Sequence, residues 1–307
     1  MDKNIHIAVL MGGPGSEREV SLVSAKSVSE ALRNAGFTCV TDVHVQGKTL
    51  DLPEGTQLAY NVIHGTFGED GELQSLLEKQ GIPYTGAGSA TSANAFDKVA
   101  SKKIFMEHGV PTPRSEILDC SGGIKLPSLP LPLVIKPPCE GSSVGVHIIH
   151  NPEDLLPAME DVVKYGTEIL VEEFILGKEL TVGILDGEVF PIVHIAPRSG
   201  FYDLNNKYPW MNHGGGTDYY CPAELSEEAT KAVQSAALAA YRALGIEVYG
   251  RVDVLLREGD EAPFVLEINT IPGMTPSSLL PKAAKVSGWS FEALCERFAE
   301  LSLAIDR

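Results

Sequence analysis

The chain has 307 residues, a formal net charge of −17 at pH 7 and an ordinary apolar content. This length allows more than one hydrophobic core, and no apolar run is long enough to predict a membrane span or a signal peptide. The negative charge disfavours nucleic acid as a partner. Five scattered cysteines without a Cys-x-x-Cys pair argue against disulfides or structural zinc, and we expect a cytoplasmic location.

The first third of the chain alternates between strand and helix patterns. Residues 5–11 form a short apolar run that ends at a glycine turn, and Ser16 with Glu19 fits a capping box at the start of a helix. Further elements are predicted at residues 38–45, 58–63 and 73–80. The alternation predicts an open, mostly parallel α/β sheet domain over residues 1–96.

The remainder has the pattern of an α+β structure. A helix over 97–108, several strands and a hairpin turn at Asp186-Gly187 predict a central subdomain over 97–187. A second subdomain is predicted over 188–307. Within it, residues 198–221 show no periodicity, which is typical of a long functional loop or lid.

The first glycine turn only partly fits a dinucleotide-binding loop. Gly13-Pro14-Gly15 matches the start of that pattern, but Arg18 stands at the third glycine position. Glu17 falls in the first helical turn, where its charge opposes a phosphate and suits a cation such as a substrate ammonium. Simple complementation of the helix dipole explains the same residue.

Two glycine-rich turns follow predicted strands. His64 begins a glycine-rich acidic turn at a strand's carboxyl end, where open α/β sheets place ligands. Lys136 ends another strand before Glu140-Gly-Ser142-Ser-Val-Gly, whose small residues suit a flap around phosphate. An ordinary glycine hairpin is the alternative.

Two strand segments carry further candidates. One segment ends a predicted strand with acidic and aromatic residues, namely Glu172, Glu173, Phe174, Ile175 and Glu179. It is explained either by a sheet edge that charged residues protect, or by an adenine-binding slot with a contact to ribose. In the hairpin over residues 250–275, alternation places Arg251 with Asp253 on one face and Glu267 with Asn269 on another. If those faces coincide, oxygen ligands suited to Mg²⁺ converge beside an arginine.

Taken in order, these segments resemble the D-alanine–D-alanine ligases of the ATP-grasp superfamily, and the resemblance covers essentially the whole chain. The matching stretches are Gly-Gly-x-Gly-Ser-Glu17-Arg-Glu-Val-Ser, His64-Gly-x-x-Gly-Glu-Asp-Gly, Asp97-Lys98, Lys136-Pro, Glu-Gly-Ser142-Ser-Val-Gly, Phe-Tyr-Asp followed by Lys207-Tyr208, Tyr-x-Cys-Pro-Ala, Gly-Arg251-x-Asp253, and Glu267-x-Asn269-Thr-x-Pro-Gly273-Met-Thr-x-x-Ser278-Leu279. The resemblance implies an ATP-grasp fold with an N-terminal α/β domain, a central ATP-binding subdomain and a C-terminal catalytic subdomain.

The resemblance also implies roles at the nucleotide. ATP would phosphorylate the carboxylate of one D-alanine, and the amine of a second would then displace phosphate. Three lysines would neutralise the ATP phosphates: Lys98, Lys136 and Lys207. Mg²⁺ or Mn²⁺ would be held by Asp253, Glu267 and Asn269.

The amino acid sites follow from the same resemblance. Glu17, with His64 nearby, would anchor the ammonium of the first D-alanine, in a hydrogen-bonded set with Ser142 and Tyr208. Arg251 and the Gly273 N–H would stabilise the oxyanion. Ser278 and Leu279 would contact the second substrate.

Alternatives remain at this point. An ATP-grasp ligase that joins D-alanine to D-lactate or D-serine is one, although Tyr208 favours the dipeptide. The sequence departs from common family members in two places, namely an extra-looking segment after Tyr208, and Cys139 in the flap. A nucleotide-binding module without chemistry and a nicotinamide dehydrogenase are others. The resemblance leaves room for a homodimer, with no membrane or nucleic acid partner.

Overall fold

The computed structural model describes residues 1–198 and 216–307, and the N-terminal part is a three-stranded parallel sheet. Its strand order is β2-β1-β3, as predicted for an open parallel sheet. The elements are β1 (His6–Gly12), α1 (Arg18–Asn34), β2 (Cys39–Val45), β3 (Leu58–Asn61), α2 (Glu72–Gln80) and α3 (Ser89–Phe96). Helix α3 was not predicted, because its Ser- and Ala-rich sequence carries no apolar stripe.

The capping box predicted at the start of α1 is wrong. The N-cap residue is Glu17, and no side chain caps the helix there. The Glu17 carboxylate instead accepts a hydrogen bond from Ser142, 125 residues further along the chain. A tertiary contact has therefore replaced a local one.

The central sheet has four antiparallel strands in the order β4-β7-β5-β6. Asp97 caps the helix that precedes it by accepting the N–H groups of Val99 and Ala100 at 2.8 and 3.2 Å. The elements are α4 (Lys98–Glu107), β4 (Ser115–Asp119), β5 (Leu133–Lys136), β6 (His147–Ile149), a 3₁₀ turn (Pro152–Asp154), α5 (Leu155–Val162) and β7 (Glu168–Glu173).

The C-terminal sheet has six antiparallel strands, with β11-β10-β8-β12-β13 in order and β9 beside β8. Helix α6 packs on one face of it, whereas α7 and α8 join the hydrophobic core of the N-terminal domain. The elements are β8 (Gly177–Leu185), β9 (Glu188–Val189), β10 (Val193–Pro197), β11 (Thr217–Tyr220), α6 (Glu227–Ala243), β12 (Tyr249–Arg257), β13 (Pro263–Asn269), α7 (Leu279–Val286) and α8 (Phe291–Leu303).

Two elements differ from the sequence pattern. Strand β8 lies in the range 97–187 predicted for the central subdomain, yet it pairs with β10 and β12 of the C-terminal sheet. Sheet membership therefore changes between β7 and β8. Strand β11 lies inside the predicted loop 198–221, because its residues pair with β10. No helix in the described ranges is both long and apolar enough to cross a bilayer.

Candidate active site

The β12–β13 hairpin brings the predicted metal ligands onto one face. Asp253 lies opposite Glu267, and Arg251 lies opposite Asn269. The Asn269 amide donates to Asp253 Oδ2 at 3.0 Å. The register shifts after Asp253, which leaves Leu266 as an extra residue, and both Leu266 and Glu267 line the same cavity. Such a bulge redirects side chains beside a site.

Cations and a hydroxyl compensate the hairpin carboxylates. Arg251 Nε and Nη2 donate to the two oxygens of Asp253 at 3.1 and 2.9 Å, and Thr181 donates to Oδ1 at 2.5 Å. Lys98 Nζ lies 3.1 Å from Glu267 Oε2. Burial opposes the charge on Lys98, but the charge and hydrogen bond of Glu267 outweigh it and raise the lysine pKa. Lys98 is therefore cationic.

The donor set fits a hard divalent cation that a ligand helps to coordinate. Asp253 and Glu267 supply two carboxylates and Asn269 an amide oxygen, which is the donor chemistry of Mg²⁺ sites. In residues 1–198 and 216–307 no three His, Cys, Asp or Glu side chains form a metal cluster. The described donors alone would leave coordination positions of such a cation open to phosphate and water.

A cavity of about 600 Å³ lies between the central and C-terminal sheets. Of the residues predicted from sequence to bind nucleotide, it is lined by Lys98, Lys136, Glu172, Glu173, Phe174, Ile175 and Glu179, together with Asp253, Glu267 and Ser142. Two further features of the cavity were not predicted. One is its apolar wall, which includes Val134, Ile148, Leu255 and Leu266. The other is the His150 ring, which meets Phe174 edge-on at 5.5 Å. An ordinary strand pattern gave no signal for these residues. An apolar slot with a few polar groups suits a nucleotide base.

The two adjacent glutamates of β7 have charged partners. Glu172 is 2% exposed and lies between the ammonium groups of Lys102 and Lys136. Glu173 accepts from the backbone N–H and the side chain of Arg114 at 2.9 and 2.8 Å. Each carboxylate is therefore positioned by an ion pair at the cavity wall.

Glu17 lies where loops of different sheets meet. Ser142, whose φ of 51° is in the left-handed region, donates to Glu17 Oε1 at 2.5 Å. A Cβ added to Gly65 or Gly141 would lie 2.9 Å from Glu17 Oε2. A side chain at either position would displace the carboxylate, and at Gly65 the φ of 68° also favours glycine.

His64 contacts the turn that follows β13. Its Nδ1 lies 2.8 Å from the Ile271 carbonyl, and its Nε2 lies 3.2 Å from Ser24 Oγ. Burial alone lowers the pKa of His64, but the hydrogen bond and charge of Glu69, with the charge of Glu17, raise it above the ordinary value. Both ring nitrogens therefore have partners, and His64 contacts the site through this turn.

Ser24 connects the same turn to helix α1. Its Oγ accepts the Met274 N–H at 3.2 Å and contacts His64. This contact of Ser24 was not predicted, since a small residue on a helix face carries no pattern that indicates a functional role.

The predicted second-substrate residues form a compact turn. Ser278 is the N-cap residue of α7, its Oγ accepts the Thr275 N–H at 3.0 Å, and a Cβ on Gly273 would lie 3.1 Å from it. Leu279 is buried in the N-terminal core. The structure thus brings Gly273 and Ser278 together. Lys207 and Tyr208 lie outside the described residues.

Comparison with known proteins agrees with this geometry. The family described as "D-ala D-ala ligase C-terminus" matches residues 124–300, more than half of the chain, and "D-ala D-ala ligase N-terminus" matches residues 42–87. The chain belongs to the D-alanine–D-alanine ligase family.

Relatives named as D-alanine–D-alanine ligases align along nearly the whole length. The ligase of Methylacidiphilum infernorum is 46% identical over 97% of this chain and 95% of its own. The ligase of Syntrophotalea carbinolica is 43% identical over 95% and 94%. A crystal structure of the Bacillus anthracis ligase complexed with ATP is 33% identical, covers 97% of both chains and has a TM-score of 0.84. The ATP-grasp fold expected for this ligase family is confirmed.

We expect Ser24→Ala to lower turnover by about 10–100-fold, because it releases the turn that carries Gly273, and small displacements of catalytic groups cost this much. Steady-state kinetics at saturating substrate measure the effect. Ser29→Ala is the matched control: Ser29 is also buried on α1 but donates to Asp42, away from the site. Equal turnover in the two variants would rule out the positioning role of Ser24.

Proposed function

We propose that this chain joins two D-alanine molecules into D-alanyl-D-alanine at the expense of ATP, for peptidoglycan precursor synthesis. The observation that carries the proposal is the pairing of Asp253 with Glu267 on the wall of a nucleotide-sized cavity that also contains Ser142. The family supports it, since the relatives are named for this ligation.

The cavity supports ATP as the nucleotide, as does the ATP complex of the Bacillus anthracis relative. Backbone groups around Phe174 and Ile175 would meet adenine, with Glu179 at the ribose. Lys98 and Lys136 would contact the phosphates as point charges. Lys207 remains a prediction for the same role.

Asp253, Glu267 and Asn269 would hold Mg²⁺ or Mn²⁺ by their side-chain oxygens. A cation held by these residues would supply positive charge that offsets the charge developing during phosphoryl transfer. Arg251 holds the Asp253 carboxylate from the other side, which fixes its orientation.

The proposed chemistry has two steps. A carboxylate oxygen of the first D-alanine attacks the γ-phosphorus of ATP, giving an acyl phosphate and ADP. The amine of the second D-alanine attacks the acyl carbon, and the tetrahedral intermediate expels phosphate. Glu17 pairs with the first ammonium, and Arg251 with the Gly273 N–H stabilises the oxyanion. Ser278 and Leu279 contact the second carboxylate.

Water has to be excluded, because it hydrolyses an acyl phosphate. The flap at Ser142 already contacts Glu17 across the site. The segment 198–221, with Tyr208, is the remaining part that we expect to close over the substrates.

A substrate panel tests the proposal. Purified protein with ATP, Mg²⁺ and D-alanine should release phosphate and give a product with the mass of D-alanyl-D-alanine. Parallel reactions with added D-lactate or D-serine test the alternative ligases, and a mixed product as the main species would favour those. Phosphate release no higher than in the ATP-only blank would reject ligation.

We expect Glu267→Gln to lower turnover by at least about 10²-fold, because it removes ligand charge at the metal-facing position. The fold should persist, since the Glu267 side chain is partly exposed at the cavity wall. Glu258→Gln, in the exposed turn of the same hairpin, is the control. Circular dichroism confirms folding, and wild-type turnover in Glu267→Gln would contradict the metal assignment.

We expect Glu17→Gln to raise KM for the first D-alanine by about 10–100-fold, the loss typical of a hydrogen bond to a charged group, with a smaller change in KM for ATP. Initial rates with each substrate varied in turn give both constants. Glu19→Gln removes an exposed carboxylate from the same helical turn and should change neither. A larger change for ATP than for D-alanine would exclude the ammonium role.

A further inference from the structure

Two lysines share one buried carboxylate beside the nucleotide cavity. Lys136 Nζ lies 2.5 Å from Glu172 Oε2, and Lys102 Nζ lies 2.7 Å from Oε1. All three side chains are less than a tenth exposed. Lys136 and Glu172 line the cavity, whereas Lys102 lies behind them.

Lys102 is held in one position by its contacts. Its Nζ donates to Thr112 Oγ1 and to the Pro113 carbonyl, each at 2.7 Å. The Glu172 carboxylate lies beside the same nitrogen, so its surroundings suit an ammonium, which has three hydrogens to donate. Thr112 in turn donates to the Val265 carbonyl of β13 at 2.9 Å, which anchors the lysine to the C-terminal sheet.

The ionisation of Glu172 depends on both lysines. Burial raises the pKa of Glu172, but the charges of Lys136 and then Lys102 outweigh burial and lower it. Burial also lowers the pKa of Lys102, against the charge of Glu172. The triad of Lys102, Glu172 and Lys136 therefore carries one net positive charge.

That single charge matters because the cavity wall is acidic. Among the residues that the structure describes, six carboxylates and three lysines line it. With Lys102 absent, Glu172 would neutralise Lys136, and the wall would have one cation fewer for an anionic ligand. At low effective dielectric such a change acts strongly on a nearby phosphate.

We propose that Lys102 is a positioning residue for nucleotide binding: it neutralises Glu172, so that Lys136 keeps its charge for a phosphate. The inference rests on the proposed function, in that ATP is the nucleotide. In this proposal the Glu172 carboxylate pairs with the two lysines and does not itself contact the nucleotide.

Lys102→Met tests the proposal in the full-length protein. KM for ATP should rise by about 10-fold or more, the usual range for losing one member of a buried charge pair, while KM for D-alanine stays within about twofold. Lys103→Met removes the same charge from the neighbouring, exposed position of α4 and should leave both constants unchanged, because solvent screens it.

Charge balance also predicts a rescue. Lys102→Met/Glu172→Gln removes one charge of each sign and leaves Lys136 cationic, so KM for ATP should return to within about threefold of wild type. A lysine that only stabilises the fold would instead change the folded fraction and the apparent turnover, and would leave KM for ATP unchanged in both variants. If Lys102→Met does not fold, the double variant is titrated calorimetrically with ATP and Mg²⁺. Near-wild-type affinity for ATP would support the charge balance. Affinity at least about 10-fold weaker than wild type would show that ATP contacts Glu172 directly, and would reject it.

The outcomes separate the two proposals. Wild-type protein that neither binds ATP nor ligates D-alanine would reject the proposed function. Wild-type protein that does both, with Lys102→Met no different from Lys103→Met, or with no recovery in the double variant, would reject only the role of Lys102.

Discussion

The register of one hairpin determines the chemistry of the whole site. With Asp253 opposite Glu267, two carboxylates face the cavity while Val252 and Ile268 face the core under α6. Because side chains alternate along a strand, a slip of one residue would exchange these faces. Strand β8 holds β12 in place from the other edge, where Thr181 lies opposite Asp253 and donates to it. Core burial and a buried hydrogen bond therefore enforce the same register.

Because the chain has a net negative charge, an anion-binding cavity requires that lysines and arginines lie close to the ligand. Several carboxylates at the nucleotide cavity are paired with a cation: Asp253 with Arg251, Glu267 with Lys98, and Glu173 with Arg114. Such ion pairs add little net stability, because desolvation offsets the attraction where they are buried and solvent screens it where they are exposed. Their value lies in orientation, since a paired carboxylate and a paired lysine both have defined directions. Glu172 differs from these carboxylates because it has two lysine partners. Pairing with Lys136 alone would cancel the charge of that lysine, and Lys102 supplies the additional positive charge.

The sequence predicts elements better than the contacts between them. Alternation in the hairpin predicted that Arg251 shares a face with Asp253, and Glu267 with Asn269, but only the pairing register shows that those two faces coincide. The strand–helix alternation predicted the parallel sheet. The bulge that adds Leu266 to the cavity wall depends on pairing, which periodicity does not encode. Long-range pairing likewise decides that β8 joins the C-terminal sheet. Lys102 and Ser24 looked like ordinary helix residues because their partners come from distant segments.

The N-terminal domain contacts both sides of the candidate site, through different groups. Glu17 meets the flap of the central sheet at Ser142, whereas His64 and Ser24 hold the turn after β13, at Ile271 and Met274. The amino acid site and the nucleotide cavity are therefore built from parts that only the assembled chain brings together. Ser142 donates to the same Glu17 carboxylate that we propose as the partner of the first ammonium. In the proposed function, one side chain would therefore connect the amino acid site to the flap beside the nucleotide cavity, and a change at either place would be transmitted through that carboxylate.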